Sequence, residues 1–178
     1  MSVRIITGSA KGRMLKVPDG TRPPTDRMKT SLFDSILDFL PNAKVLDLYA
    51  GSGAMGIEAL SRGGEYAEFV EISGKAVRIL KENLALTKFS EKSHVVKMNA
   101  ISFLEETEKE SFFDIVFFDP PFAKVYKMDF ALVGKVLKPG GIAIFRHPQN
   151  FTPEQTYGSM KKIATKDFGE NIFSVYTL

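Results

Sequence analysis

The stretch "FFDIVFFDPPFAKV" (residues 112–125) ends an apolar run on a carboxylate, two prolines and an aromatic ring. Those residue types in that order suit the gripping of a planar amino group. An ionised Asp119 only accepts hydrogen bonds. Pro120 has a fixed φ and is itself restrained by Pro121, so the carbonyls there point in set directions. Phe122 offers a π-face to an extruded base, a contact worth about 1–3 kcal/mol. An exocyclic amino group on a nucleobase is a poor nucleophile, because its lone pair is delocalised into the ring. Acceptors on its N–H bonds help free that pair to face an incoming methyl group. Taken alone, the tetrapeptide also reads as a strand end followed by a turn. Asp119, Pro120, Pro121 and Phe122 are the candidate catalytic residues.

A second constellation lies upstream. In "VLDLYAGSGAMGIEAL" the glycines Gly51, Gly53 and Gly56 form a GxGxxG pattern between an apolar strand and a helix. Glycine lets a ligand approach the backbone, and the helix start offers unpaired N–H groups. Dinucleotide enzymes use the same pattern, and a tight turn with no ligand needs no more than this. Asp47 sits inside the strand end, where a buried acid requires a cation or a hydrogen-bond donor. Glu71 closes the next strand, where its carboxylate could accept both hydroxyls of a ribose. Asn99 and Ala100 end the third strand. Asn99 could bond an adenine ring or cap the following helix. These residues, with Ala50, Ser52 and Ile72 beside them, are the candidate cofactor-binding set.

To bring the two constellations together the chain needs a particular sheet. From residue 44 onward apolar strands alternate with helical segments: "KVLDLYA", "EYAEFVEI", "SHVVKMNA", "FFDIVFFD" and "GIAIFR" are strands. Between them "AMGIEALSRG", "SGKAVRILKENLALT", "ISFLEETEK" and "KMDFALVGKVL" are helices. That alternation predicts an open, doubly wound α/β sheet with right-handed crossovers. The tail "SMKKIATKDFGENIFSVYTL" predicts two antiparallel strands around Gly169. Ligands in such sheets gather at the carboxyl ends of the strands where strand order reverses. If the strands ending at Asp47 and Asp119 flank that point, they lie roughly 5 Å apart. Upstream, "TDRMKTSLFDSILDFL" has apolar residues at helical spacing behind a Thr25 or Asp26 cap.

The bulk numbers bound the partners. A length of 178 residues suits one domain with a small extension. Without cysteine there is no disulfide and no thiolate metal site, and two distant histidines make a zinc site or a His-based triad an unsuitable reading. The start lacks the apolar core of a signal peptide and no run approaches transmembrane length, so a cytoplasmic chain with no membrane partner and no metal is expected. The first 30 residues hold seven basic side chains against two acidic ones, and the rest is slightly acidic. Either a basic arm for a polyanion or a solvated hairpin fits that asymmetry.

The motifs "DLYAGSGAMGIEAL" and "FFDPPF" resemble class I S-adenosylmethionine methyltransferases that modify exocyclic amino groups. "RIITGSAKGRML" and "RPPTDRMKTSLF" resemble the RsmD family, which methylates a guanine N2 in 16S ribosomal RNA of the small subunit. The likeness runs from Arg4 to about Gly141. It implies a Rossmann-like domain over residues 25–178 behind a basic β-hairpin and linker at 1–24. It implies that the Gly51–Gly53 loop holds the methionine part of S-adenosylmethionine and Glu71 its ribose. Asn99 and Ala100 would lie by the adenine, and Asp119 through Phe122 would hold the guanine. The RNA, in an assembled or assembling small subunit, would meet Lys11, Arg13, Arg22 and Arg27 through phosphate, and the enzyme would act as a monomer. Three positions depart from the family: Pro24, where Thr is commoner; Thr30, where Glu is; and "FRHP" at 145–148, where acidic versions are expected. Rival readings are methylation of adenine N6 or of a protein glutamine, a nicotinamide-dependent oxidoreductase, and an RNA-binding protein without activity.

Overall fold

In the computed structural model of the chain, which describes residues 1–123 and 129–178, the predicted alternation is realised as one eight-stranded sheet. Five strands run parallel: β3 (Lys44–Leu48), β4 (Tyr66–Val70), β5 (Ser93–Val96), β6 (Phe113–Phe118) and β7 (Leu137–Pro148). Three antiparallel strands follow: β8 (Thr156–Tyr157), β9 (Met160–Asp167) and β10 (Asn171–Thr177). The spatial order is β5-β4-β3-β6-β7-β10-β9-β8. The chain therefore winds outward from β3 through β4 to β5, then returns to β6 on the other side. The switch point falls between β3 and β6, whose ends are paired in register at Leu48 and Phe118.

Each central strand is apolar on both faces, as a sheet covered on both sides must be. On β6, Ile115 and Phe117 enter one core while Val116 and Phe118 enter the other, the alternation that a pleated strand imposes. The first core lies under α1 (Asp26–Ser35), α2 (Ala54–Ser61) and α3 (Gly74–Thr87); the second lies under α4 (Ala100–Glu106) and α5 (Val133–Val136). Caps are local: Thr25 accepts from Met28 N–H, and Ser73 from Ala76 N–H. A separate hairpin of β1 (Ser2–Arg4) and β2 (Met14–Lys16) sends Val3, Ile5 and Leu15 into the first core.

One element differs from expectation. The helix predicted over "KMDFALVGKVL" begins at Lys127 and Met128, which lie outside the described residues. Within them a 3-10 turn at Phe130–Leu132 leads into only four α-helical residues, Val133–Val136. Gly134 and two valines make that run a poor helix, and the Asp129 carboxylate caps the tighter turn through Ala131 N–H. The tail forms the expected antiparallel pair, β9 and β10, and Thr156–Tyr157 just ahead of it adds a short third strand against β9.

Candidate active site

The glycine loop is shaped by what surrounds it. After β3, Tyr49 takes a φ of 62° and Gly51 one of 55°, so the chain turns sharply and Gly53 N–H returns to Ala50 O at 2.7 Å. Gly53 precedes α2 with a φ of 77°, and a Cβ there would lie 2.3 Å from Leu80 Cδ1. That glycine lets the helix seat against α3. At Gly51 the surroundings are open, since a Cβ would meet only Tyr49 O at 3.9 Å. The exposed side of the Gly51 backbone is thus available to a ligand.

Two acids flank this loop. Glu71 is fixed by backbone donors: Oε2 accepts from Gly51 N–H at 2.9 Å and Oε1 from Ser73 N–H at 2.8 Å. Asp47 is buried, and its Oδ2 accepts from Gly56 N–H at 2.9 Å. Burial pushes its carboxyl up to about 8; the Gly56 hydrogen bond opposes this, while the charges of Asp119 and Glu71 add to it.

Asp119 follows directly on β6, one residue beyond the Leu48–Phe118 pair. Its Oδ2 accepts from Arg146 Nη1 at 2.8 Å. Burial raises the Asp119 carboxyl above the ordinary range, and the Arg146 guanidinium holds it back. Arg146 comes from β7 and is gripped in turn by Asn171 Oδ1 on β10, at 3.1 Å from Nε and 2.6 Å from Nη2. Its remaining reach goes to the Arg22 carbonyl, at 3.4 and 3.5 Å. The guanidinium also lies 5.4 Å from the Phe122 ring centre, within cation–π range.

These groups share one cleft of about 440 Å³. Asp47, Ala50, Gly51, Ser52, Glu71 and Ile72 line one side; Asp119, Pro120, Pro121 and Phe122 line the other, with Arg146. The linker residues Gly20 to Pro24 close a third side, bringing Arg22 to the rim. Other candidates lie elsewhere. Asn99 accepts from Ile101 N–H at 2.9 Å and Ser102 N–H at 3.3 Å, capping α4, and Ala100 is buried in the second core. Lys11 is exposed on the hairpin loop, and Arg13 donates to Leu86 O at 2.5 Å. Arg27 borders a separate hollow with Thr30, Asp34 and Lys166. His147 is buried, donating from Nδ1 to Pro148 O and accepting at Nε2 from Ser174 Oγ, outside the cleft.

Sequence reasoning missed Arg146. The available signal was one cation inside the apolar strand "GIAIFRHP", since a buried arginine demands an acid nearby. Among the described residues no group of three or more His, Asp or Glu side chains could hold a metal ion. No helix there is long and apolar enough to cross a membrane.

Comparison with known proteins places the chain. The family described as Conserved hypothetical protein 95 matches residues 3–177. YlbH of Bacillus subtilis is 34% identical over 181 residues, covering 98% of both chains. "Ribosomal RNA small subunit methyltransferase D" of Escherichia coli is 44% identical over 124 residues, which span 68% of this chain and 61% of that protein. The solved structure of yhhF from Escherichia coli superposes with a TM-score of 0.85 at 33% identity, covering 99% of this chain and 98% of that one. SMU.776, solved in complex with SAH, shares the fold alone: its TM-score is 0.65 at 13% identity, over 82% of this chain and 49% of that one. With that match over nearly its whole length, and a class I methyltransferase fold to carry it, the chain belongs to the RsmD family.

Proposed function

We propose that the chain is a methyltransferase that uses S-adenosylmethionine to modify the N2 amino group of a guanine in 16S ribosomal RNA, in an assembled or assembling small subunit. One observation carries this reading: the open Gly51 backbone and the oriented Glu71 carboxylate share a single cleft with Asp119, Pro120 and Phe122. The cofactor fits the residues present. A side chain at 51 would project into the space it needs, Glu71 already presents an oriented carboxylate for vicinal hydroxyls, and Asp47 is a buried acid suited to a cationic neighbour. The SAH in SMU.776 supports this class of cofactor, and the names of relatives support ribosomal RNA as the substrate class. Guanine N2 rests on the motif resemblance and on the chemistry of Asp119–Phe122.

When bound, S-adenosylmethionine supplies an electrophilic methyl: the S–CH3 bond breaks, leaving its electron pair on sulfur, as the N–CH3 bond forms. The chain's own residues do the rest. Phe122 stacks on the extruded base. Asp119 and the Pro120 carbonyl accept the two N2 hydrogens, which turns the nitrogen lone pair toward the methyl. Fixed positioning supplies much of the rate. The Asp119 charge stabilises the positive charge passing to nitrogen, and the methylated nitrogen, now acidic, loses its proton without needing a strong base. Asp119→Ala should therefore lower methyl transfer to small subunits by roughly 10²–10³-fold or more. Calorimetry should find its affinity for S-adenosylhomocysteine unchanged. A variant that keeps most of its turnover removes Asp119 from this role.

A further inference from the structure

We infer that Arg146 is a positioning residue for methyl transfer, holding Asp119 by Oδ2 so that Oδ1 and the Pro120 carbonyl are the two acceptors left for the base amino group. The inference rests on the methyltransferase reading and adds a residue to it. It starts from the way Arg146 is built in. The guanidinium is nearly buried, with 10% of the side chain exposed, against 25% for Asp119. Asn171 Oδ1 takes two of its N–H groups, the Arg22 carbonyl takes weaker contacts, and Nη1 is aimed at Asp119 at 2.8 Å. A planar fork held at one end by an amide delivers its other end in a fixed direction. Asp119 Oδ1 has no hydrogen-bond partner among the described residues, and the side chain faces the cleft.

The arrangement settles two properties that an amino clamp needs. The first is rotamer: with Oδ2 tied down, the carboxylate plane cannot turn away from the base. The second is charge. Asp119 sits where burial favours its neutral form, and a protonated Asp119 would offer a donor where an acceptor is required. Among the described residues the charged groups around it are Arg146 on β7, Asp47 on β3, Arg22 on the linker and Glu71 across the cleft. Arg146 is the cation that touches it. Removing that positive charge should raise the Asp119 carboxyl further. Because the reaction needs the carboxylate, the acid limb of the pH–rate profile moves up with it.

The test compares wild type, Arg146→Met and Arg146→Lys, measuring kcat/KM for small subunits across pH. S-adenosylhomocysteine affinity serves as the check on folding. Arg146→Met should lose about tenfold or more near neutral pH and recover in alkali, with its acid limb displaced upward by about one unit or more. Arg146→Lys keeps the charge without the fork, so its limb should stay with wild type while its plateau falls. Carbon-13 titration of the Asp119 carboxyl in substrate-free protein should show the same upward displacement in Arg146→Met. Limbs and titrations that overlay wild type overturn the inference, as does a loss in both variants that is equal at every pH. Should wild type itself fail to methylate guanine, the functional reading falls, and the carboxyl titration still decides whether Arg146 holds the Asp119 charge.

Discussion

Asp47 and Asp119 stand at the ends of adjacent strands, and burial raises both carboxyls, but their partners differ. Asp119 has a guanidinium at 2.8 Å, whereas Asp47 has only the Gly56 N–H, with the Asp119 and Glu71 charges nearby. Asp47 therefore keeps its proton in the folded protein up to about pH 8, while the unfolded chain releases it near the ordinary carboxylate value of 3.8. A folded state that holds a proton the unfolded state has lost becomes less stable as pH rises, by about 1.4 kcal/mol per unit at most. Its contribution is thus greatest below about pH 4, declines to about pH 8 and then levels off. Urea titrations at pH values between about 5 and 8 should show Asp47→Asn losing markedly less stability over that window than wild type; equal slopes would mean Asp47 is already ionised. At this scale the sequence exposed the groups whose meaning is local. Asp47, Gly51 and Glu71 could be found from their offsets in one strand–loop–helix unit. Arg146 offered only the weaker signal of a cation in an apolar strand, because its partner Asn171 arrives only when β7 pairs with β10 at Phe173–Arg146, two residues from the Asn171–Pro148 pair.

Helix α2 does more than follow the glycine loop. Its Glu58 is fully buried and gathers four partners: Ile6 N–H at 2.9 Å, Thr7 N–H at 3.1 Å, Arg62 Nε at 2.9 Å and Lys29 Nζ at 3.3 Å. Lys29 also donates to the Arg4 carbonyl and is itself buried. One carboxylate thus ties the N-terminal hairpin and α1 to the helix that begins at the cleft. Breaking such a pair from one side leaves a buried charge uncompensated, so Glu58→Ala should cost about 3–5 kcal/mol in denaturant unfolding. Lys29→Met combined with Glu58→Met should cost less than Glu58→Ala alone, and the reverse order would mean the ion pair itself supplies the stability. Elements with a clear period were legible: α3 and the β3–β6 strands match the sequence reading closely. Short pieces were not. Four helical residues around Gly134, or a two-residue strand such as Thr156–Tyr157, carry too few side chains to show a period, and neighbours decide them.

Over the whole molecule, the excess of positive charge near the N-terminus is partly taken up by ion pairs within the chain. Arg4 pairs with Asp26, Lys16 with Glu82, and Lys29 with Glu58, whereas Lys11, Arg22 and Arg27 form no ion pair among the described residues. We propose that Lys11 and Arg27 contact RNA phosphate, and that Arg22 does so at the rim of the cleft. Charge asymmetry was visible in the sequence, but which cations stay available depended on packing across distant segments. Deleting the hairpin would remove Val3, Ile5 and Leu15 from the core, so charge reversal is the sharper probe. Lys11→Glu with Arg27→Glu should weaken RNA binding and lower its salt slope by about 0.7 per lost phosphate contact, leaving thermal stability unchanged; an unaltered slope assigns the RNA to another face. The account as a whole depends on where the methyl goes. Small subunits lacking the modification, incubated with the protein and labelled S-adenosylmethionine, can be digested and their nucleosides mapped by mass. The account predicts label on the exocyclic N2 of one guanosine in 16S RNA, and label on adenine N6, on ribosomal protein or on no acceptor would contradict it.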